Sequence, residues 1–235
     1  PTSGGASLAM MLNLLEGVDL PSMTWGSLAA TRRIADAQNI VFADRNAYMG
    51  DADFVDVPLE RLLSKDYART RRGLMLPLNA VPPPVAPGDL GLTPSNGSAE
   101  GGHTTHFCVV DSQRNVVSVT TTIERYFGSA MTVPGRGFLL NNELTDFETH
   151  ALNDDGTFAA NGPSGGVRAR RTALGDDAET QGGKRPRSSM APTIVLRDGR
   201  PVLAVGSPGG STIIGTTLNV ILNVLDFGMD VQEAV

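Results

Sequence analysis

Through roughly the first third of the chain, apolar residues recur every three or four positions; from Thr104 onward they gather in short β-branched runs. The first pattern predicts helices and the second predicts strands. After Ser3-Gly4-Gly5, the residues Leu8, Met11, Leu12 and Leu15 share one helix face, and Gly17 fits the end of that helix. A second helical stretch is expected from Trp25 to Tyr48, where Leu28, Ile34, Ala35, Val41 and Phe42 lie among Arg32, Arg33, Asp36 and Arg45, and Gly50-Asp51 breaks it. Pro58 starts a short helix over 59–63, and Ser64 caps another that runs through Arg72. Strands are expected over 107–111 and 116–122, joined by Ser112-Gln113-Arg114-Asn115. A second pair covers 193–196 and 201–205, with a tight Asp198-Gly199 turn between them. The last helix is expected to start from a Ser211 cap and to carry Ile213, Ile214, Leu218, Ile221, Leu222 and Leu225 as its apolar stripe. Helices, then strands, then a helix predict strands packed under helices in a mixed layer.

Two stretches follow neither period. Residues 80–102 carry Pro82-Pro83-Pro84, Pro87 and Pro94 with several Gly and Ser, and read as an exposed connector. Residues 148–183 are polar and glycine-rich and read as a long surface loop. Together they account for much of the excess of 27 glycines and 15 prolines, about 18% of the 235 residues, where roughly 12% is usual. Nineteen basic against 25 acidic side chains give a formal charge of −6. That balance argues against nucleic-acid binding, which needs a positive field. The single Cys108 excludes an intrachain disulfide and a cysteine-rich metal site. No apolar run approaches the roughly 20 residues of a membrane span.

Four clusters carry candidate chemistry. The first is Gly101-Gly102-His103-Thr104-Thr105-His106, between the connector and a strand. Metal binding by His103 and His106 is disfavoured, since at i, i+3 on a strand entry they point to opposite faces. A self-processing reading has the Thr104 hydroxyl attack the carbonyl of His103 and free Thr104 as a new N-terminus. That residue would then hold a nucleophilic Oγ and an α-amine of ordinary pKa near about 8, able to take the hydroxyl proton without a histidine. On spacing alone, β-propensity explains Thr104-Thr105 equally well. The second cluster, Ser207-Pro208-Gly209-Gly210-Ser211, sits between a strand and a helix, where backbone N–H groups suit an oxyanion or a carboxylate. It lacks a P-loop lysine. The third, Lys184 to Thr193, offers the hydroxyls and N–H groups of Ser188 and Ser189 to a small anion. The fourth, Leu139 to Phe147, brings Glu143 and Asp146 out of an apolar run together, able to hold an ammonium group or simply to face solvent.

In this order the stretches resemble the gamma-glutamyltransferase (gamma-glutamyl transpeptidase) family of N-terminal-nucleophile hydrolases. The resemblance rests on Pro1-Thr2-Ser3-Gly4-Gly5, Phe42-Ala43-Asp44-Arg45, Gly50-Asp51-Ala52-Asp53-Phe54, Thr104-Thr105-His106-Phe107 and Phe127-Gly128-Ser129. It continues through Leu140-Asn141-Asn142, Arg185-Pro186 with Ser188-Ser189-Met190, and Gly206 to Ser211. It implies an α+β fold, a four-layer αββα sandwich incomplete in this chain, made as a precursor that cuts itself at His103–Thr104. Residues 1–103 would be the C-terminal part of the large subunit, with the connector at 80–103, and 104–235 the N-terminal part of the small catalytic subunit. The two would form a heterodimer.

By position, the resemblance makes Thr104 the nucleophile, Thr122 the threonine that supports it, and Gly209 and Gly210 the oxyanion hole. Ser188 and Ser189 would hold the donor's α-carboxylate, and Asp146, with Glu143 beside it, the α-ammonium. The implied donor is glutathione or another gamma-glutamyl amide, the acceptor water or an amine, with no cofactor and no metal. Glu124 stands where well-studied members carry an asparagine that contacts the donor, which either tightens ammonium binding or signals a glutaryl or cephalosporin-type acylase. The family's carboxylate-clamping arginine and any export signal would lie upstream of Pro1, the family motif runs on beyond Val235, and the 148–183 insert takes the place of a lid region. Relatives imply a periplasmic or secreted location. A non-catalytic truncated remnant is the expectation from a different class.

Overall fold

A computed structural model describes residues 2–75, 77, 84–95, 103–163 and 182–235. The chain divides into two compact units, one holding Ala9–Ser98 and Phe147–Arg187, the other Thr2–Leu8, Ala99–Asp146 and Ser188–Val235. Both contain helix or strand elements of an α+β fold, as the sequence implies.

The first unit is helical. From Ala9 onward, helix α1 (Gly4–Leu15) contributes to it the buried Met10, Met11, Leu14 and Leu15. Helix α2 (Leu28–Tyr48) begins three residues later than the apolar pattern suggests, because Ser27 is the cap: its Oγ accepts the Ala30 N–H at 3.2 Å. Trp25 is left outside and exposed. Helix α3 (Leu59–Leu62) follows Pro58, and α4 (Lys65–Arg72) is capped by Ser64 as expected.

The connector reading needs correction. Its described part, 84–95, forms no helix or strand, yet it is pinned rather than simply exposed. Tyr48 Oη donates to the Gly88 carbonyl at 2.6 Å, and the Gly88 N–H donates to buried Asp44 at 2.7 Å. Arg71 closes on the same carboxylate at 3.0 and 3.1 Å. Leu90 is buried, and Ser95 ties Ala47 to Ala160 through its N–H and its Oγ. The expected loop at 148–183 is likewise not all surface, since Ala159, Ala160 and Asn161 are buried. Residues 80–83, 96–102 and 164–181 of these two stretches lie outside the described residues.

Charge also organises this unit's interior. Arg187 is 1% exposed and donates from Nη1 to the carbonyls of Arg45, Asn46 and Met49 at 3.1–3.3 Å, so a cation satisfies the C-terminal end of α2. Its own N–H donates to Asn161 Oδ1 at 2.7 Å, and its guanidinium faces Glu148 at 3.7 Å. Asp51, fully buried, takes three hydrogen bonds from Arg185, and these hold its carboxyl far below the usual carboxylate range. Burial pushes Lys184 down to about 8, opposed by the negative charges of Asp51 and Glu148.

The second unit carries two antiparallel hairpins. Strands β1 (Thr104–Val110) and β2 (Val116–Thr122) pair Thr104 opposite Thr122, and β3 (Thr193–Arg197) pairs with β4 (Arg200–Val205) around a bulge at Val195/Leu196. Ser118 Oγ donates to the Val205 carbonyl at 3.3 Å, linking the hairpins. β1 starts at Thr104 rather than Phe107: the polar Thr104-Thr105-His106 run is strand, paired residue for residue with Thr120–Thr122. Helix α5 (Ile213–Leu225) buries Ile213, Ile214, Leu218, Ile221 and Leu222. Ser211 does not cap it. A 3₁₀ turn, Gly210–Thr212, comes first and places Ser211 inside that turn, with Thr212 at the boundary. A last turn, α6 (Val231–Ala234), is closed by a reciprocal Asp230–Glu233 capping box.

Candidate active site

The end of the β1–β2 hairpin and the turns around it surround one small cleft, lined by Thr104, Thr122, Glu124, Glu143, Asp146, Ser188, Ser189, Met190, Gly210 and Ile213. All these residues belong to the second unit. Of the site read from the sequence, only His103 and Gly209 stand outside the lining, each next to a residue that is in it.

Strand pairing sets the reacting end. Directly paired residues share a face, so the Thr104–Thr122 pair puts both hydroxyls on the same side of the hairpin. Thr122 Oγ1 donates to the His103 carbonyl at 2.9 Å and accepts the Glu124 N–H at 2.8 Å. The His103 N–H donates to the Glu124 carbonyl at 2.5 Å. Glu124 reaches both partners because its backbone is left-handed, with φ +72°, a conformation that is uncommon and strained for a non-glycine residue. The residue is buried, and its carboxylate takes a short hydrogen bond from Asn142 Nδ2, with Arg125 Nε at 3.5 Å.

Asn141 and Asn142 build the acidic side of the cleft. Asn141 Oδ1 accepts the Glu143 N–H at 3.0 Å; Asn142 accepts from Thr145 through its carbonyl and from the Arg125 N–H through Oδ1. The two amides thus hold the 3₁₀ turn Glu143–Asp146 against the Glu124 segment. Burial raises the Glu143 pKa above its ordinary value, a hydrogen bond with Asp146 opposes this, and the negative charge of Glu124 raises it further. Among the described residues, Glu143 Oε1 is buried with no hydrogen-bond partner. A buried acceptor left so is costly unless something donates to it.

The serine pair is held by residues 2–4, to which the sequence reading gave no role. The Ser188 carbonyl accepts from the N–H and Oγ of Ser3 at 2.8 and 2.9 Å, and Thr2 Oγ1 donates to the Met190 carbonyl at 2.8 Å. A Cβ on Gly4 would stand 2.4 Å from the Met190 oxygen and 2.5 Å from that of Ser189, so only glycine lets the first turn of α1 approach the pair. Gly209 is equally constrained: at φ +127° its carbonyl accepts from both the N–H and the Oγ1 of Thr212. This turn presents the backbone of Gly210 to the cleft.

The two histidines engage different neighbours. The His103 ring stacks on Tyr126, whereas His106 Nδ1 meets Thr120 Oγ1 at 2.9 Å and its Nε2 meets Cys108 Sγ at 3.3 Å. Among the described residues, no group of three His, Cys, Asp or Glu side chains has metal-holding geometry.

The family model for Gamma-glutamyltranspeptidase matches residues 1–235. The chain is 39% identical over 236 residues to a glutathione hydrolase proenzyme of Pseudomonas sp. (strain A14), a match that covers all of this chain and 38% of that protein. It is 35% identical over 235 residues to the Acylase ACY 1 proenzyme of Pseudomonas sp. (strain SE83), covering 36% of it. The chain therefore spans less than two-fifths of the length of these relatives. Among solved structures, cephalosporin acylase from Bacillus halodurans is similar in fold, with a TM-score of 0.64 at 19% identity over 97% of this chain and 35% of the other.

Proposed function

The chain belongs to the gamma-glutamyltranspeptidase family, and from that premise we propose that it carries the reacting centre of a self-cleaving threonine enzyme that transfers a gamma-glutamyl group. In the precursor, Thr104 Oγ adds to the His103 carbonyl carbon, whose oxygen is stabilised by the Thr122 hydroxyl at 2.9 Å. The C–N bond breaks, the proton passes to the departing amine, and water then hydrolyses the ester. The freed Thr104 amine serves as base for its own hydroxyl. That hydroxyl takes the gamma-glutamyl group from glutathione or a related amide and hands it to water or an amine acceptor. Negative charge on the tetrahedral intermediate falls to the backbone N–H groups of Gly209 and Gly210. Ser188 and Ser189 receive the donor's α-carboxylate; Glu143, Asp146 and Glu124 receive its α-ammonium. The reading is carried by one observation: the Thr104–Thr122 pair, the acids and the serines line a single small cleft.

The similarity to Acylase ACY 1, together with a carboxylate at Glu124, favours a second reading, in which the donor is a glutaryl or cephalosporin-type amide. Initial rates on gamma-glutamyl and glutaryl anilides separate the two. The first reading predicts a clear preference for the gamma-glutamyl substrate, and Glu124→Asn should weaken that preference by raising its KM; a glutaryl preference overturns it.

Titration of Glu143 gives an independent check. Its pKa is raised, so its carboxylate is lost at a higher pH than an ordinary glutamate's. Ammonium binding needs the ionised form; KM for a gamma-glutamyl donor should therefore climb, roughly ten-fold, as pH falls through that pKa. Glu143→Gln should flatten the profile, and a glutaryl donor, which has no ammonium, should show no such rise.

A further inference from the structure

We propose that Tyr126 is a positioning residue for cleavage of the His103–Thr104 bond, acting through the ring of His103. This rests on the self-cleavage reading above. The two rings lie face to face with centroids 3.6 Å apart and planes 20° from parallel. Tyr126 is 74% exposed, so burial in the core does not account for its placement. The backbone of His103 is gripped as well, its N–H by the Glu124 carbonyl and its carbonyl by Thr122 Oγ1. One run of five residues, Thr122 to Tyr126, therefore holds His103 at three points: ring, N–H and C=O.

These three contacts fix different freedoms. The hydrogen bond from Thr122 polarises the carbonyl but leaves the peptide plane free to rock about it. The N–H bond to Glu124 removes part of that motion. The ring stack anchors the side-chain end of the residue, so the His103 Cα resists turning about the Cα–C bond. Such rotation would turn the carbonyl oxygen away from the Thr122 hydroxyl that polarises it, and attack requires that donor to stay in place as negative charge develops on the oxygen. In the step itself, the Thr104 Oγ–C bond forms, the His103 C–Thr104 N bond breaks, and the hydroxyl proton moves to the amine. Water then restores the hydroxyl and leaves a carboxylate on His103. Tyr126 touches none of the reacting atoms. The left-handed backbone at Glu124, φ +72°, is what turns the chain back so that Tyr126 follows over His103 rather than continuing β2 outward.

The test measures the rate of self-cleavage of the precursor protein that contains this chain, by mass spectrometry over time. Wild type, Tyr126→Ala, Tyr126→Phe, His103→Ala and the double variant His103→Ala/Tyr126→Ala are compared, with thermal melts alongside. An aromatic pair of ordinary strength predicts cleavage roughly three- to ten-fold slower in Tyr126→Ala. Tyr126→Phe keeps the stacking face and should restore the rate. In the His103→Ala background, Tyr126→Ala should cause no further slowing, a coupling that a general loss of stability would not produce. Wild-type rates in Tyr126→Ala, or the same slowing with and without the His103 ring, overturn the proposal while leaving self-cleavage intact. A wild-type precursor that never cleaves removes both readings together.

Discussion

Thr104→Ala is expected to leave the His103–Thr104 bond intact and to reduce turnover of a gamma-glutamyl anilide by at least about a thousand-fold. Alanine keeps the strand pairing with Thr122 and removes the Cγ2 methyl together with the one reactive atom, the Oγ1. That atom is required twice, first to open the chain and then to carry the acyl group, so the two activities should fall together. Thr104→Ser restores a hydroxyl with greater rotational freedom and should cleave and turn over measurably, though more slowly. Electrophoresis of the precursor during prolonged incubation reads the first activity; initial rates read the second. Undiminished cleavage in the alanine variant would remove Thr104 from the mechanism.

The largest loss of stability is expected at Arg187. Its guanidinium satisfies three carbonyls at the end of α2 and faces Glu148 while only 1% exposed. Methionine fills a similar volume, but it takes the guanidinium donor from all three carbonyls, leaves Arg45's with only the Met49 N–H, and removes the cation opposite a buried carboxylate. Breaking a buried pair from one side costs about 3–5 kcal/mol, and that is the destabilisation expected for Arg187→Met in urea unfolding. Arg187→Lys should recover only part of it, since an ammonium group cannot span three carbonyls as a planar guanidinium does. A change below about 1 kcal/mol would mean that the α2 end finds other donors.

The helices and hairpins were legible wherever period and punctuation agreed. Ser64 before Lys65, Asp198-Gly199 between β3 and β4, and the Ile213–Leu225 stripe each stated an element locally. Where the structure departs from the sequence reading, a contact remote in sequence or a backbone conformation decided instead. Ser211 lost the cap because positive φ at Gly209 and Gly210 inserts a 3₁₀ turn ahead of α5. The polar Thr104–His106 segment reads as the entry to a strand whose apolar run starts at Phe107, and is itself strand through pairing with residues 120–122. Leu90 and Ser95 sit in a proline-rich stretch that a compositional argument calls exposed, yet Asp44, Tyr48 and Ala47 hold that stretch in place.

The candidate site followed the same division. Residue types and their order pointed to Thr104, Ser188, Ser189 and the acids, because those positions carry chemistry that a motif can state. Their supports were not legible. Asn142 reaches Glu124 across 18 residues, Ser3 reaches Ser188 across 185, and Tyr126 meets His103 through ring packing alone. None of these contacts produces a periodic or compositional trace. Gly4 was read as part of an N-terminal motif; its reason is the close approach of the Ser189 and Met190 carbonyls.

The most direct test of the account is the mass of the peptide that carries Thr104, taken from protein quenched in acid while it turns over a gamma-glutamyl donor. The account predicts a peptide beginning at Thr104 with a free α-amine, which gains one gamma-glutamyl group on its hydroxyl and loses it as donor is exhausted. An intact His103–Thr104 bond in protein that is actively turning over donor, or a gamma-glutamyl group found on any other residue, would contradict it.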